Sequence, residues 1–152
     1  MEFKKILCPT DFSRNAKKAL PHVKSLTKKY NAEIHVLYVI ENVAHHEPWY
    51  GEFGKEHTNK IIEHGRKLAQ KRLEQIVSKY LEGCPTCIRH IAMGDPAQEI
   101  LKFIDQEKAD MVVMPTRGQK GIFPFGSVTE KIVKNSPVSV MTVPIQAESD
   151  EE

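Results

Sequence analysis

Residues 109–129, with the sequence ADMVVMPTRGQKGIFPFGSVT, combine a strand, a loop and the start of a helix. The unbroken apolar run 111–114 is typical of a strand that is buried on both faces of a parallel sheet. The following loop contains three glycines and two cations, which favour tight turns and attract an anion. These residues are Gly118, Gly121, Gly126, Arg117 and Lys120.

The end of this stretch predicts a helix N-terminus. Ser127 is expected to accept a hydrogen bond from the amide of Glu130 while Glu130 reaches back, which is the capping-box pattern. The free amides of the first helical turn would then point at whatever the loop holds. The stretch is either a phosphate-binding cradle or an ordinary connection from strand to helix, and a glycine-rich loop alone leaves both interpretations open.

Length and composition predict one domain in a reducing compartment. The chain has 152 residues, of which 40% are hydrophobic, and we expect one domain over residues 1–147 followed by an acidic tail, 148–152. Four of the 20 acids lie in that tail, so the remainder carries 22 minus 16, or +6, which is too weakly basic to predict a nucleic-acid partner. Three cysteines are too few for a disulfide framework. With no apolar run of membrane length and no signal peptide, we expect a cytoplasmic protein without a membrane partner.

Strand and helix patterns alternate along the whole chain. The predicted strands are Phe3–Pro9, Ile34–Ile40, Ile88–Met93, 111–114 and Val138–Val143. The predicted helices are Ser13–Tyr30, about Thr58–Leu81, one from Asp95 and one from Ser127. Pro21 should kink or split the first helix because proline lacks an amide donor. Residues 43–57 show no period and are interpreted as a long surface loop.

Helical spacing predicts which side chains face the core. The second predicted helix has one apolar stripe, and the last helix is expected to turn three apolar residues inward. The stripe consists of Ile61, Ile62, Leu68, Ala69, Leu73, Ile76, Val77 and Tyr80, and the inward residues of the last helix are Val128, Ile132 and Val133.

This alternation predicts an α/β fold, a three-layer, doubly wound, five-stranded parallel sheet. The first, second and fourth strands are the most apolar and should be central, which gives the order 3-2-1-4-5. That order has one switch point, between strands one and four, where a crevice forms beyond the carboxyl ends of the strands. Residues 9–13 and 115–129 follow these two strands and should border the crevice.

Several segments together resemble the universal stress proteins of the UspA type over nearly the whole chain. They are 5–13 (KILCPTDFS), 37–40 (LYVI), 94–96 (GDP), 126–133 (GSVTEKIV) and 136–138 (SPV). The resemblance implies a flavodoxin-like, adenine nucleotide alpha hydrolase-like fold and a homodimer formed through the last strand, Val138–Val143. It also implies one of two branches. Members of one branch bind ATP, and members of the other do not.

The ATP-binding branch has a loop pattern of Gly, two residues, Gly, nine residues, Gly and then Ser or Thr. Here Pro115 stands in place of the first glycine, and only seven residues separate Gly118 from Gly126. A proline offers no amide to a ligand. Two functions therefore remain open: an ATP-binding regulatory protein of the stress response, or a dimeric interaction module that binds no nucleotide. Either would act on a protein partner that the sequence does not identify.

Within the ATP-binding alternative, each wall of the crevice has an expected role. Gly118 and the amides of 126–128 would hold phosphate oxygens, and the hydroxyls of Ser127 and Thr129 would add donors. Asp11 would accept from a ribose hydroxyl or help to hold Mg²⁺ beside the phosphates. The alternative role of Asp11 and of Ser13 is helix capping. Backbone groups near Val39 would contact adenine, and the remaining candidate lining residues are Pro9, Thr10, Met114 and Val128.

Other motifs are assigned no site. Cys84 and Cys87 have the spacing of a redox or zinc pair, but they follow a helix instead of beginning one, which favours structural cysteines. The histidines around the predicted loop, His45, His46, His57 and His64, are interpreted as solvated and not as metal ligands. The sequence contains no recognisable set of catalytic residues, so we expect no enzymatic activity, or at most slow ATP hydrolysis.

Overall fold

The computed structural model describes residues 1–41, 52–118 and 126–145, with side chains described from residue 59 onward in the second range. Five strands and five helices lie within these ranges. The strands are β1 Lys5–Thr10, β2 Glu33–Ile40, β3 Cys87–Met93, β4 Met111–Pro115 and β5 Ser139–Val143. The helices are α1 Arg14–Lys18, α2 Leu20–Tyr30, α3 Glu52–Tyr80, α4 Pro96–Glu107 and α5 Ser127–Asn135. The predicted acidic tail lies outside the described residues.

The sheet confirms the predicted topology. All four strand pairings are parallel, and the order is β3-β2-β1-β4-β5. β1 continues through Pro9, which the sequence predicted as its last residue, and ends at Thr10 opposite Tyr38. β3 and β5 lie at the two edges, as their interrupted apolar patterns predicted. The central position of β1 and β4 puts the switch point between them.

Each face of the sheet carries its own apolar core. Side chains from β1, β2 and β4 alternate between the two faces, as Ile6 and Leu7 do, because successive residues of a strand point in opposite directions. One core packs against α1, α2 and α3, and the other against α4 and α5. The sheet is therefore the middle of three layers.

Pro21 splits the first predicted helix, as expected. α1 ends and α2 begins around Ala19, and Pro21 lies in the first turn of α2, where its missing amide has no helical partner. Asn31 ends α2 in the left-handed conformation, with a φ of 52°. Short polar side chains tolerate that conformation best after glycine.

α3 begins earlier than the sequence predicted. Residues 52–57 are helical, so the predicted surface loop over 43–57 is wrong for this part, and residues 42–51 lie outside the described residues. Gly54 lies within the helix, where one glycine costs only about 1 kcal/mol relative to alanine. The 29 residues of α3 span about 44 Å, which exceeds the length of any strand here.

Three residues predicted to face the core are exposed instead. Ile61 and Leu68 of α3 are 59% and 51% exposed, and Val133 of α5 is 48% exposed. Ile61 lies far along α3 from the end that packs on the sheet. Leu68 and Val133 adjoin the buried Ala69 and Ile132, and adjacent helical residues point about 100° apart. No helix in the described ranges is long and apolar enough to cross a membrane.

Candidate functional site

The carboxyl ends of β1, β2 and β4 border a hollow of about 700 Å³, within the usual range of 300–1,000 Å³ for ligand pockets. The predicted site residues in its lining are Pro9, Thr10, Asp11, Val39, Met114, Gly118, Gly126, Ser127, Val128 and Thr129. Asp11 and Ser127 thus share one hollow, although 116 positions separate them in the chain. Reversal of the winding direction between β1 and β4 brings them together.

The wall after β1 is held by its own side chains. The amide of Phe12 donates to Thr10 Oγ1 at 3.1 Å, and the amide of Ser13 donates to Asp11 Oδ1 at 2.9 Å. These bonds stabilise Phe12 at a φ of 63°, which is uncommon for a residue with a side chain. Ser13 caps α1 by accepting from the amide of Ala16. The capping role is therefore confirmed for Ser13, whereas Asp11 lies before the cap and is exposed.

Two contacts connect this wall with the wall after β4. Asn15 Nδ2 donates to the carbonyl oxygen of Gly118 at 2.8 Å. A Cβ atom added to Gly118 would lie 2.6 Å from Asp11 Oδ2, which is inside van der Waals contact. Glycine at 118 is therefore required for Asp11 to keep its present position. Sequence reasoning missed Asn15, because an asparagine in the first turn of a helix is also a common capping residue.

The wall after β4 is held by its backbone. The amide of Thr116 donates to the carbonyl of Val143, and the amide of Gly126 donates to the carbonyl of Thr116. The second bond closes the loop, of which residues 119–125 lie outside the described residues. The amide of Gly126, which was expected to bind phosphate, is therefore engaged within the protein.

Ser127 does not cap α5, so that prediction is wrong. Gly126 is the N-cap residue, with a φ of −69° and a ψ of 160°, and α5 has no side-chain capping bond. Glu130 does not reach back either, and it pairs instead with Lys134 at 2.7 Å. Pairing with Lys134 lowers the pKa of the Glu130 carboxyl. The helix starts at Ser127 and not after it, because the extended backbone of Gly126 already provides the cap conformation.

The first turn of α5 retains backbone donors. The amide of Glu130 makes the first intrahelical bond, to the carbonyl of Gly126, so the amides of Ser127, Val128 and Thr129 precede the helical ladder. All three residues line the hollow, and the side chain of Ser127 is exposed. The positive end of the helix dipole adds to the attraction for an anion.

Thr129 was predicted to donate its hydroxyl proton to phosphate, but this hydroxyl is bonded within the protein. Its hydroxyl donates to the carbonyl of Pro115 at 3.0 Å, and the residue is 3% exposed. A buried hydroxyl requires such a partner, and here the bond fixes the start of α5 against the end of β4. The hydroxyl proton of Thr129 is therefore used for folding.

The loop cation Arg117 is anchored away from the lining. Its Nη2 atom donates to the carbonyl of Ile145 at 2.6 Å, while the amide of Ile145 donates to Thr116 Oγ1. Arg117 was expected to attract an anion together with Lys120, and this hydrogen bond shows that part of its guanidinium is engaged within the protein. Lys120, the other loop cation, lies outside the described residues.

The opposite side of the hollow is mainly apolar. Val39 is almost fully buried at the end of β2, and Met114 is buried at the end of β4. Sequence reasoning did not assign several further lining residues, among them Tyr38, Ile40, Glu41, Pro96 and Ile100. Pro96 and Ile100 belong to the first turns of α4, which the sequence predicted as a helix but not as a border of the pocket. Within the described ranges no three or more His, Cys, Asp or Glu side chains group closely enough to hold a metal ion.

Comparison with known proteins agrees with this architecture. The family model of the universal stress protein family matches residues 2–144. This chain belongs to the universal stress protein family. Universal stress protein MJ0531 of Methanocaldococcus jannaschii is 30% identical, over 93% of this chain and 82% of its own length.

Two solved structures extend the comparison. That of MJ0577, another universal stress protein of Methanocaldococcus jannaschii, is 32% identical, has a TM-score of 0.80, and covers 97% of this chain and 100% of its own. A universal stress protein from Archaeoglobus fulgidus, solved in complex with dAMP, is 18% identical with a TM-score of 0.64. The match covers 93% of this chain and 98% of the Archaeoglobus chain, and it shows that the two chains have the same fold.

Cys84 and Cys87 of this chain are free thiols in an environment that disfavours the nucleophilic thiolate. Burial raises the pKa of the Cys87 thiol to about 11, and it also raises the pKa of Cys84. Cys8 is completely buried, which raises its pKa to about 12. The thiolate is the reactive form of cysteine, so burial disfavours the reactive form of all three free thiols.

Proposed function

We propose that this chain is an adenine-nucleotide-binding regulatory protein of the stress response, with ATP as its ligand. The proposal rests on one observation. The first-turn amides of α5 and the carboxylate of Asp11 line the same hollow at the switch point of the sheet. A relative of the same fold has been solved with dAMP, which supports the adenine class of ligand.

Each side of the hollow has a role in this proposal. The amides of Ser127 and Val128 and the hydroxyl of Ser127 bind phosphate oxygens, because no described residue accepts a hydrogen bond from these donors. Asp11 accepts from a ribose hydroxyl, or joins the phosphates in holding Mg²⁺. The apolar side near Val39 and Met114 receives the base. Gly118 allows Asp11 and the phosphates to lie close together.

The role is regulatory because the hollow offers binding groups and little chemistry. The Arg117 guanidinium donates to Ile145, and Thr129 donates to Pro115, so neither is directed at a phosphate. We propose at most slow ATP hydrolysis, in a cytoplasmic protein. A homodimer would form through β5, whose outer edge has no strand partner in the described sheet and whose Met141 is 37% exposed.

The alternative is a family member that binds no nucleotide and acts as an interaction module. Pro115 favours it, because this residue ends β4 at the border of the hollow and has no amide to give a ligand. The two functions differ in whether the hollow is filled.

Calorimetry with ATP, ADP and AMP, each with magnesium, tests the proposal. We expect saturable heats, with affinity falling as phosphates are removed. Gly126→Val should lower ATP affinity at least tenfold, about 1.4 kcal/mol. Its Cβ would lie 3.3 Å from Arg117 Cα and 3.5 Å from the amide nitrogen of Gly118, so it pushes on backbone.

Gly65→Val is the matched control, because a Cβ at Gly65 of α3 has no neighbour within 4 Å. It should bind ATP as the original protein does. If Gly126→Val fails to fold, Asp11→Ala on the other wall serves in its place. A flat titration at millimolar ATP would overturn the proposal in favour of the interaction module. An equal loss in the Gly65 variant would contradict binding of ATP beside Gly126.

A further inference from the structure

A second cleft lies between α1 and α3, apart from the phosphate-binding end of the hollow. Its volume is about 360 Å³. The cleft is lined by Phe12, Lys17, Arg72, Gln75, Ile76 and Tyr80, together with Lys79. Phe12 and Ile76 are buried and form its floor, whereas Arg72, Gln75 and Lys79 are exposed. The cleft therefore presents mainly cations and an amide to solvent.

The two helices next to α3 on this side of the sheet are one-sided in charge. Between Asp11 and Glu33 the chain has six lysines and arginines and no acid. This segment forms α1 and α2, which cover the same face of the sheet as α3. On the other face, α4 and α5 mix acids with lysines. A positive face of this kind speeds encounter with a negatively charged partner.

The three cations of the cleft have no acidic partner in the part of the chain that the structure describes. Lys17, Arg72 and Lys79 form no ion pair there, while the two acids of α3 after residue 58 are engaged elsewhere. Glu63 pairs with Lys67, and Glu74 pairs with Arg89. No acid among the described residues therefore pairs with the positive charge of the cleft.

Aromatic rings hold two of these cations in place. The Arg72 guanidinium lies 4.5 Å above the centre of the Phe12 ring, and the Lys79 ammonium lies 5.3 Å from the Tyr80 ring. Such contacts restrict the cations before a ligand arrives, which reduces the entropy that binding must offset. They also cover ring faces on which a nucleic-acid base would stack, so the cleft lacks the usual platform for single strands.

We propose that this cleft binds an acidic segment of a partner protein, with carboxylates placed between Lys17, Arg72 and Lys79. Arg72 is suited to a bidentate pair with one carboxylate, and Gln75 and Tyr80 supply neutral hydrogen bonds. Phe12 lines the cleft and also belongs to the turn 10–13, in which Thr10 and Asp11 line the hollow. Substitutions at Arg72 and Lys79 leave the lining of the nucleotide hollow unchanged, so this proposal stands independently of ATP binding.

Fluorescence polarisation with a labelled twelve-residue peptide of glutamates around one leucine tests the proposal. The glutamine counterpart and a twelve-nucleotide oligo-dT are the competing probes. We expect the glutamate peptide to bind with an affinity that falls as salt rises, and the glutamine peptide to show at least tenfold weaker binding. Arg72→Glu combined with Lys79→Glu should reduce binding of the glutamate peptide at least tenfold.

Lys102→Glu combined with Lys131→Glu is the matched control, because it changes the net charge equally at exposed lysines of α4 and α5. Its affinity should stay within twofold. Lys17→Glu, which disturbs no ring contact, keeps the test valid if the double variant fails to fold, and it should weaken binding about fivefold. Equal loss in the control, equal binding of the glutamine peptide, tighter binding of oligo-dT, or no binding at millimolar peptide would overturn the proposal.

Discussion

The two walls of the hollow start their helices by different means. After β1, side chains hold the turn: Thr10 and Asp11 accept hydrogen bonds from backbone amides, and Ser13 caps α1. After β4, the backbone holds the turn: the amide of Gly126 donates to the carbonyl of Thr116, and Gly126 provides the cap conformation of α5 without a side-chain cap. The first wall has therefore used most of its polar side chains in folding. In the second wall, the Ser127 hydroxyl and the first-turn amides of α5 have no partner among the described residues.

This difference shows which polar groups are available to a ligand. A strand, a turn that contains Ser and Thr, and a helix occur on both sides, and this shared pattern alone does not distinguish them. The hydrogen bonds separate them, because a hydroxyl or amide already bonded within the protein must lose that bond before it can bind phosphate.

Among the substitutions that compare the two walls, the largest effect is expected at the contact between them. Gly118→Ala should lower ATP affinity about tenfold, or about 1.4 kcal/mol, because its methyl group would displace the Asp11 carboxylate. In an Asp11→Ala background the same substitution should have little effect. Calorimetry on the four proteins of this double-mutant cycle measures the coupling.

Additive losses in that cycle would contradict the arrangement, because they would mean that Asp11 and Gly118 act on the ligand separately. The comparison between the walls would then become one between two independent sites.

The two serines should dissociate stability from binding. Ser13→Ala removes a cap and should lower the unfolding free energy by about 1 kcal/mol, with ATP affinity unchanged. Ser127→Ala removes no cap, so it should leave stability unchanged and weaken ATP binding a few-fold, about 0.5–1 kcal/mol. Denaturant unfolding and calorimetry on both variants provide the two measurements.

If Ser127→Ala destabilised the fold as much as Ser13→Ala, the helix would have a serine cap in solution, and the distinction between the walls would be lost.

Thr129 provides a smaller test within the second wall. Thr129→Val keeps the shape but leaves the Pro115 carbonyl without its donor, so stability should fall by about 1 kcal/mol. ATP affinity should change less than twofold, because the hydroxyl proton is directed into the protein. Thr142→Val on β5 is a suitable control, since its hydroxyl makes no hydrogen bond to another described residue. Loss of affinity without loss of stability would restore Thr129 as a phosphate donor.

The smallest effect is expected on stability at acidic pH, through two histidines on β2 and β3. His35 Nδ1 lies 2.9 Å from His90 Nε2, and the two rings stack. Burial, with His35 nearby, lowers the pKa of His90. Protonation is then less favourable in the folded than in the unfolded protein, so the stability contributed by neutral His90 is present above the unfolded pKa of about 6.5 and is lost as pH falls below it.

Other charges face this pair. Glu33 Oε2 lies 3.2 Å from His35 Nε2, and Glu107 of α4 raises the pKa of His90 slightly against the larger lowering. Thermal unfolding should show a melting temperature a few degrees lower at pH 5.5 than at pH 7.5. His90→Gln should reduce this pH dependence, whereas His22→Gln at an exposed position of α2 should not. An unchanged dependence in His90→Gln would assign it to other groups.

The sequence predicted the fold because its signals were long and periodic. Apolar strands of five to eight residues alternated with amphipathic helices, and this alternation allows few sheet orders. Prediction from the sequence was less reliable where the signals were short. The start of α3 at Glu52 was missed because one glycine and an irregular pattern resembled a loop, and Val133 was placed inward although only its neighbour Ile132 is buried.

By itself, the sequence determined the family, the order of the strands and the two segments that meet at the switch point. Those properties follow from apolar periodicity, turn residues and motif spacing, which are local along the chain. Only the tertiary structure decided which donors are already bonded within the protein. Among the described residues these are the hydroxyl of Thr129 and the amide of Gly126, and not the hydroxyl of Ser127. The physical reason is that every buried polar group must find a partner, and that partner is chosen by residues brought close in space.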